Sequence, residues 1–400
     1  MELRYLTIAL ILATSAVRLA GSLYQPAMPA IAADFGASEA AISATMTVYF
    51  LGLAISNIFM GPLSDSFGRR PLILAGLITV AAGSTICMFA NGISILIAGR
   101  IVQAIGTSTI PVTSRAVIRD AYPEDKIVSI LGITGIISAL VPIAAPFAGG
   151  LITQYFNWKI TFIISSACCI VSFFYAYLRL KETNPPEKRY SLEIAQTIKN
   201  YFKMLLDRTF MSAAIPNMIF FGIQGIYLTL GPFIFMGEFN YSPVEFGLTY
   251  IPLVSTLIAG RAVSSPIYRI SSRKNTVLII TLISATAGTL LIGTRIICGT
   301  NNAATILAAA AIFSFAFGLS IPISTKIGLD QFRHISGAAS SMLGTMQMGG
   351  AAATAAIGGL LLKYVRASDA FTILVTALAV TLVLTGLSIY IKPPKLRKYD

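Results

Sequence analysis

The fold of this chain is decided by the stretch Gly61-Pro62-Leu63-Ser64-Asp65-Ser66-Phe67-Gly68-Arg69-Arg70. It is short and charged, and it separates two long apolar segments. Glycine permits a tight turn because it has no Cβ, so Gly61 and Gly68 predict a loop here. Asp65 can pair locally, and Arg69 and Arg70 are cations of the kind found where a membrane-spanning chain meets the cytoplasm. The stretch predicts a cytoplasmic loop between two membrane helices.

The composition points to the same class of protein. The chain is 56% hydrophobic and 11% charged, with a mean hydropathy of +0.79, whereas a soluble domain is about 25% charged. The net charge of +13 is scattered through short loops, without the dense basic tract expected of a nucleic-acid-binding protein. We therefore expect a polytopic membrane protein that has the lipid bilayer as a partner and does not bind nucleic acid.

Cysteine and histidine usage argues against metal chemistry. Cys87, Cys168, Cys169 and Cys298 lie in or beside apolar segments without ligand-like spacing, and the sole histidine is His334. We expect no cofactor, no metal site and no disulfide framework.

Twelve segments reach the length of about 20 apolar residues that a membrane helix needs. They lie at 5–32, 42–62, 71–90, 94–118, 127–150, 160–180, 210–236, 244–267, 276–297, 303–325, 337–361 and 370–391. The first is predicted to be an uncleaved helix, because it is longer than a signal peptide and holds an arginine at its centre. We predict an all-α membrane protein of two pseudo-symmetric six-helix bundles: 1–180, a cytoplasmic linker at 181–209, and 210–400.

Charge asymmetry orients this arrangement. Most lysines and arginines fall on the side of both termini, and this set includes Arg333, Lys392, Lys395, Arg397 and Lys398. Both termini are therefore expected in the cytoplasm, with the chain in a bacterial inner membrane. The linker contains an amphipathic stretch from Leu192 to Leu206, which predicts a short helix on the membrane surface. Ser265 to Lys274 follows span eight as 61–70 follows span two, which indicates a weak internal repeat.

Four further motifs accompany the opening stretch. Span one ends with Leu23-Tyr24-Gln25-Pro26-Ala27-Met28-Pro29-Ala30-Ile31. Span four contains Gly99-Arg100-Ile101-Val102-Gln103-Ala104-Ile105-Gly106 and ends with Arg115-Ala116-Val117-Ile118-Arg119-Asp120-Ala121-Tyr122-Pro123, and span five contains Ala145-Pro146-Phe147-Ala148-Gly149-Gly150. With 61–70, which resembles G-x-L-x-D-x-x-G-R-[KR], they resemble the major facilitator superfamily. Within it the chain is most similar to Bcr/CflA-type multidrug exporters, a branch of the twelve-span drug:proton antiporters. The resemblance implies a monomeric secondary transporter, not an enzyme.

Several motif residues are expected to control conformation rather than to bind substrate. By resemblance, the loop that contains Gly61, Asp65, Gly68, Arg69 and Arg70 would lock the inner side, and Arg100 would act structurally. Pro142 and Pro146 are expected to bend span five because proline removes helix hydrogen bonds. Gly149 and Gly150 are expected to allow close helix packing.

Ionisable residues inside the bilayer are costly and usually carry function. The predicted spans hold Arg18, Arg100, Arg115 and Arg261 but no deep acidic residue. Many members of the resembled family have an acid two residues before the tyrosine of span one, where this chain has Ser22. Proton coupling through a first-helix acid therefore cannot be carried over to this chain.

The embedded arginines predict an anionic ligand, because a guanidinium stays charged and grips carboxylates in two places. We predict a central cavity between Arg18 and Arg261. The other candidate substrate-binding residues, chosen by helical spacing or polarity, are Ser22, Gln25, Tyr49, Arg115, Gln224, Tyr227 and Gln347.

The leading hypothesis is export of a small organic anion, such as a polycarboxylate siderophore, with protons carried on the substrate or not involved. The main alternative is multidrug efflux of neutral or amphipathic drugs, and uptake of an anionic metabolite is a third. A membrane sensor would normally add a signalling domain, for which the linker and tail leave no room. An intramembrane enzyme would need a buried catalytic group, and none is evident.

Overall fold

The structure is a computed structural model, which describes residues 2–189, 194–270, 273–300, 302–332 and 335–391. Some predictions concern residues outside this described part. They are those on Leu192, Ser271, Ser272, Arg333, His334, Lys392, Lys395, Arg397 and Lys398.

The described residues form helices and no strand. The α-helices are α1 Glu2–Ser22, α2 Met28–Phe35, α3 Glu39–Phe67, α4 Arg69–Met88, α5 Ile93–Ala121, α6 Glu124–Tyr155, α7 Lys159–Arg179, α8 Ile194–Leu206, α9 Arg208–Pro232, α10 Pro243–Leu248, α11 Tyr250–Ile270, α12 Arg273–Cys298, α13 Ala303–Gln331, α14 Ser336–Leu361 and α15 Ala367–Ile391. Short 3₁₀ turns at Gln25–Ala27 and Pro186–Lys188 and a π-helical turn at Phe233–Glu238 accompany them.

Eleven helical ranges in the described part are long and apolar enough to cross a membrane, and they coincide with eleven of the predicted spans. The other predicted span, 337–361, is α14, a 26-residue helix rich in glycine, alanine and serine. These small residues, together with Gln347, lower its hydropathy. The predicted class, an all-α membrane protein, is confirmed.

The sequence predicts one continuous helix for the first span, but the structure divides this span. Helix α1 ends at Ser22, a 3₁₀ turn occupies Gln25–Ala27, and α2 begins at Met28. Pro26 and Pro29 stand at the starts of the turn and of α2, where their missing N–H groups cost nothing. The prolines therefore divide the span into two helical pieces.

The predicted loop at 61–70 is also wrong in its extent. Helix α3 continues to Phe67 with Gly61 and Pro62 inside it, and α4 begins at Arg69. Gly68 alone connects them, at φ 100° and ψ 161°, a conformation that favours glycine. Helix α3 can continue past its last apolar residues, because its backbone N–H and C=O groups bond to one another within the helix and do not depend on apolar surroundings. Gly61 therefore makes no turn.

The chain divides into two compact units, residues 1–197 with 242–248, and residues 198–241 with 249–400. Close helix approach at glycine is common to both. In the first unit a Cβ added at Gly83 would lie 2.6 Å from the backbone nitrogen of Gln103 on α5. In the second, Gly260 and Gly318 bring α11 and α13 into backbone contact. Small residues at such contacts pack helices tightly where lipid gives no hydrophobic drive.

Helix α8 covers the described part of the predicted amphipathic stretch. Tyr201 and Met204 on one face are buried. An adjacent stripe of Ile198, Phe202 and Leu205 is exposed. Its placement on a membrane surface stays a prediction.

Candidate functional site

The end of α3 and the start of α4 are joined by a network centred on Arg69. Its Nη1 donates to Asp65 Oδ1 at 2.6 Å and to Ser64 Oγ at 2.8 Å, and its Nε donates to Asp120 Oδ2 at 3.0 Å. The Arg69 side chain is only 11% exposed, whereas the two carboxylates are more open. One guanidinium thus ties α3, α4 and α5 together at one end of the first unit.

Glu182, which the sequence analysis did not assign, completes this network. Its Oε1 accepts the backbone N–H of Arg69 at 2.9 Å and its Oε2 that of Arg70 at 3.2 Å. These N–H groups belong to the first turn of α4, where helices lack internal acceptors and favour negative charge. Asn184 adds a bond from Nδ2 to the carbonyl of Asp65 at 2.9 Å. The start of the predicted linker is therefore fastened to the 61–70 stretch.

Arg70 turns outward from that network. Its Nη2 donates to the carbonyl of Tyr177 at 2.8 Å, and its guanidinium lies 5.2 Å from the centre of the Tyr177 ring. The Arg70 side chain therefore links the start of α4 to the end of α7, while its backbone N–H stays bound to Glu182.

Arg100 is fully buried on α5 and is held mainly by uncharged groups. Its guanidinium lies 3.9 Å from the ring centre of Tyr49 and 4.5 Å from that of Tyr24, within cation–π distance of both rings. Nη1 donates to Gln103 Oε1 at 2.9 Å, and Nη2 lies 3.5 Å from the sulfur of Met46. No carboxylate pairs with Arg100 in the described part of the chain. The tyrosine faces and the glutamine stabilise its charge instead.

A second group of cations gathers where α1 meets α5. Arg18, Arg115 and Arg119 are all exposed. Arg18 and Arg119 lie close enough to Arg115 for their positive charges to repel it. Three cations therefore lie near one another where α1 meets α5.

The other candidate residues of the first unit differ in accessibility. Ser22 is half-buried at the end of α1, and Gln25 is buried in the 3₁₀ turn. Tyr49 is 5% exposed, and its hydroxyl donates to Thr107 at 3.5 Å. The structure thus brings Tyr49 to Arg100 and Arg18 to Arg115.

In the second unit the candidates are more dispersed. Tyr227 is buried among aromatic rings, and its hydroxyl donates to Thr249 Oγ1 at 2.6 Å. Gln224 and Arg261 are exposed, and Gln347 is half-buried. Among the described residues no hydrogen bond or ion pair joins these last three. Their assignment to substrate binding stays a prediction.

The candidate hinge residues lie in α6, which runs without interruption through Pro142 and Pro146. Gly149 packs against the backbone of Leu23, and Gly150 packs against that of Pro243 on α10. Any larger side chain at either glycine would meet main-chain atoms. Close packing at this pair is therefore present, whereas its part in transport stays a prediction.

The family is decided by comparison of the whole sequence. The sequence model of the Major Facilitator Superfamily matches residues 10–355. The chain belongs to the Major Facilitator Superfamily. It is a multi-pass membrane transporter of that superfamily and not an enzyme, as the sequence analysis expected.

Two relatives within the superfamily are named for drug resistance. The chain is 26% identical over 332 residues to the multidrug resistance protein MdtL of Citrobacter koseri, covering 82% of each. It is 26% identical over 236 residues to the bicyclomycin resistance protein homolog of Haemophilus influenzae, covering 59% of each. Both are consistent with the predicted Bcr/CflA-type branch. A solved bacterial homolog of the human lysosomal transporter Spinster matches with a TM-score of 0.75 at 15% identity, covering 98% of this chain and 96% of that one. At this identity the match shows a shared fold alone.

The acidic residues of this superfamily member have a distinctive placement. In the eleven apolar ranges every aspartate and glutamate lies within two residues of a range end, as in Asp34, Asp120 and Asp330. Arg18 and Arg100, by contrast, lie at least seven residues from either end of their ranges. The fixed charge inside these ranges is thus positive.

Proposed function

We propose that this chain exports neutral, amphipathic drug-like molecules from the cytoplasm. The proposal is supported by the relatives named for multidrug and bicyclomycin resistance. The single observation that narrows the ligand class is the confinement of carboxylates to the ends of the apolar ranges.

The charge argument runs through Arg100 and the arginines on α1 and α5. A cationic drug inside a membrane protein needs a nearby carboxylate, because an unpaired charge in low dielectric costs several kcal/mol. Here the buried charge is Arg100, which is stabilised by tyrosine faces and an amide. The group at Arg18, Arg115 and Arg119 would add repulsion against a cation. Neutral ligands avoid this penalty, so we expect selection against cations.

A second candidate, export of a small organic anion such as a polycarboxylate siderophore, is favoured by that same arginine group. Guanidinium groups grip carboxylates with paired hydrogen bonds. Uptake of an anionic metabolite would use the same arginines, with transport in the opposite direction. Removal of the Arg115 side chain separates the two candidates: it should abolish export of an anion and leave export of a neutral drug unaffected.

Transport would proceed by alternating access in an inner membrane, with both termini cytoplasmic and the protein monomeric. The Asp65–Arg69–Asp120 network is proposed to stabilise one of the alternating states, because it couples three helix ends through one side chain. The part of α1 inside the apolar range, from Leu3 to Ser22, has no carboxylate that could carry a proton, so coupling is proposed to run through the substrate or another group.

The test is drug susceptibility of a bacterial strain whose own exporters are deleted. Expression of the chain is expected to raise the inhibitory concentration of the neutral drug chloramphenicol several-fold and to leave that of cationic ethidium unchanged. Protection against ethidium alone would contradict the proposal.

The anion candidate is tested by mass spectrometry of culture supernatants from iron-poor cells with and without the gene. Loss of one anionic compound outside and its build-up inside would favour the second candidate. Arg115→Ala should then abolish its export, whereas Arg115→Lys should retain part of it. Unchanged supernatants would exclude this candidate under those conditions.

A further inference from the structure

One face of α7 is apolar and exposed. It carries a stripe of five side chains, Ile170, Val171, Phe174, Tyr177 and Leu178, all of which are exposed. Spacings of three and four residues place them together on the helix surface. The stripe reaches the last turn of α7. Because α7 is among the helices long and apolar enough to cross a membrane, lipid chains are the partner that such a stripe fits.

Three apolar ranges end at the same level beside this stripe. Arg70 lies in the first turn of α4, and its Nη2 donates to the carbonyl of Tyr177 in the last turn of α7. The guanidinium of Arg179, the last residue of α7, lies 4.7 Å from the ring centre of Tyr5 near the start of α1. The ends of membrane helices lie where hydrocarbon gives way to lipid headgroups. The stripe therefore leads to two guanidinium groups at headgroup level.

Tyrosine rings position both guanidinium groups and leave most of their donors available. Arg70 lies 5.2 Å from the centre of the exposed Tyr177 ring and uses one donor on a carbonyl. Arg179 contacts the Tyr5 ring, and among the described residues it makes no hydrogen bond or ion pair. A guanidinium has five N–H donors, and a ring face attracts a cation without adding a formal negative charge. Such groups can donate in pairs to a phosphate.

The carboxylates of the Arg69 network are engaged elsewhere. Asp65 and Asp120 bind the guanidinium of Arg69, and Glu182 binds the first turn of α4. Within the described ranges, neither guanidinium beside the apolar stripe forms an ion pair with a carboxylate. These two cations therefore lack a fixed counterion in the part of the chain that the structure describes.

We propose that this surface of the first unit binds an anionic phospholipid such as phosphatidylglycerol. The acyl chains would lie on the apolar stripe of α7, and the phosphate would accept hydrogen bonds from Arg70 and Arg179. The stripe alone would accept any lipid, whereas guanidinium groups without a counterion favour a headgroup of net negative charge. The lipid is a bound partner and not the exported molecule, so the proposal is independent of the function proposed above.

The test is native mass spectrometry of the delipidated full-length protein in detergent. The protein is titrated with phosphatidylglycerol or with phosphatidylcholine of the same acyl chains, which carries the same phosphate but no net charge. Each cation beside an anionic headgroup contributes about a fivefold preference, so we expect phosphatidylglycerol to bind about 25-fold more tightly. Equal binding of the two lipids would overturn the proposal.

Two double variants place the preference at this surface. Arg70→Gln combined with Arg179→Gln should bring the binding of the two lipids to within about threefold of each other. Arg295→Gln combined with Arg366→Gln is the matched control, because it removes the same charge from span ends of the second unit. Each of these arginines already pairs with a carboxylate, at 2.7 and 2.9 Å. The control should keep the full preference, and an equal loss in both double variants would contradict the assignment.

Arg179→Gln alone serves where the first double variant does not fold, because no hydrogen bond within the described residues depends on its guanidinium. It should lower the preference about fivefold, and Arg179→Lys, which keeps the charge, should retain most of it. An unchanged preference in Arg179→Gln would contradict the proposal.

A final arm separates a lipid from a soluble phosphate. Glycerol phosphate, which has no acyl chains, should not displace phosphatidylglycerol at equal concentration. Displacement would assign the two arginines to a soluble phosphate and overturn the lipid site. The readout needs no transport, so failure of lipid binding leaves the proposed export untouched, and failure of export leaves this site untouched.

Discussion

Replacing Glu182 by alanine tests the observation that the linker fastens the first turn of α4. The change removes the acceptor for the N–H groups of Arg69 and Arg70 at 2.9 and 3.2 Å. Loss of a helix-capping side chain costs about 1 kcal/mol, and loss of a carboxylate at a helix N-terminus adds about 0.3–1 kcal/mol. The Glu182 side chain is 24% exposed, so water replaces part of the loss. The ion pair between Glu182 and Arg189 is long, at 3.9 Å, so its loss adds little to the destabilisation.

The expected destabilisation is about 1–2 kcal/mol. For a unit of about 200 residues this corresponds to a lowering of Tm by about 2–8 °C. The assay is thermal unfolding of the purified protein in detergent. Glu182→Gln keeps an oxygen acceptor but loses the charge, so it should fall between wild type and Glu182→Ala. Glu187→Ala is the matched control, because this exposed residue in the same segment carries the same charge.

The reasoning would be refuted if Glu182→Ala unfolded within 1 °C of wild type. It would also be refuted if Glu182→Ala and Glu187→Ala lowered Tm equally, since the effect would then be one of net charge alone.

Three further perturbations have expected outcomes. Gly83→Ala should lower stability by about 1–3 kcal/mol because its Cβ would meet the α5 backbone. Gly135→Ala, inside α6 with nothing within 4 Å of the added Cβ, should be neutral or slightly stabilising; equal Tm values for the two would contradict the packing. Tyr49→Leu should lower the free energy of unfolding by about 1–2 kcal/mol, because it removes the ring face beside the buried guanidinium of Arg100. Tyr49→Phe keeps the ring and should lower it little, as urea or thermal unfolding will show. A large destabilisation by Tyr49→Phe would instead assign the effect to the hydroxyl. If the exposed stripe of α8 lies on the bilayer, Phe202→Asp should weaken that contact and reduce the protection of α8 from hydrogen exchange in anionic nanodiscs. Unchanged protection would place α8 away from the lipid.

The sequence predicted the membrane spans well because their signal is local. Twenty apolar residues in a row can satisfy their backbone only as a helix in lipid, and α5 or α13 follows directly from that rule. The break after Ser22 was missed because the apolar run continues through it, and only Pro26 and Pro29 mark the change. The extent of α3 was missed because polar residues at 64–66 were interpreted as a loop, although a helix can continue into water.

The network at one end of the first unit was predictable only in part. Asp65 and Arg69 are four residues apart, a spacing at which helical side chains meet, and they form an ion pair. Asp120 and Glu182 lie 51 and 113 residues from Arg69, and nothing local in the sequence signals such contacts. Arg100 was expected to act structurally, but its two tyrosine partners come from the residue before a 3₁₀ turn, Tyr24, and from α3. Such a site depends on packing between distant segments.

The most direct test of the central claim is the transport rate of a neutral drug and a cation in the same proteoliposomes. Radiolabelled chloramphenicol and tetraphenylphosphonium are suitable, because both carry apolar aromatic groups and they differ in charge. The account predicts protein-dependent movement of chloramphenicol and none of the cation above that of empty liposomes. Equal or faster movement of tetraphenylphosphonium would contradict the claim that the positive charge inside the apolar ranges selects against cations.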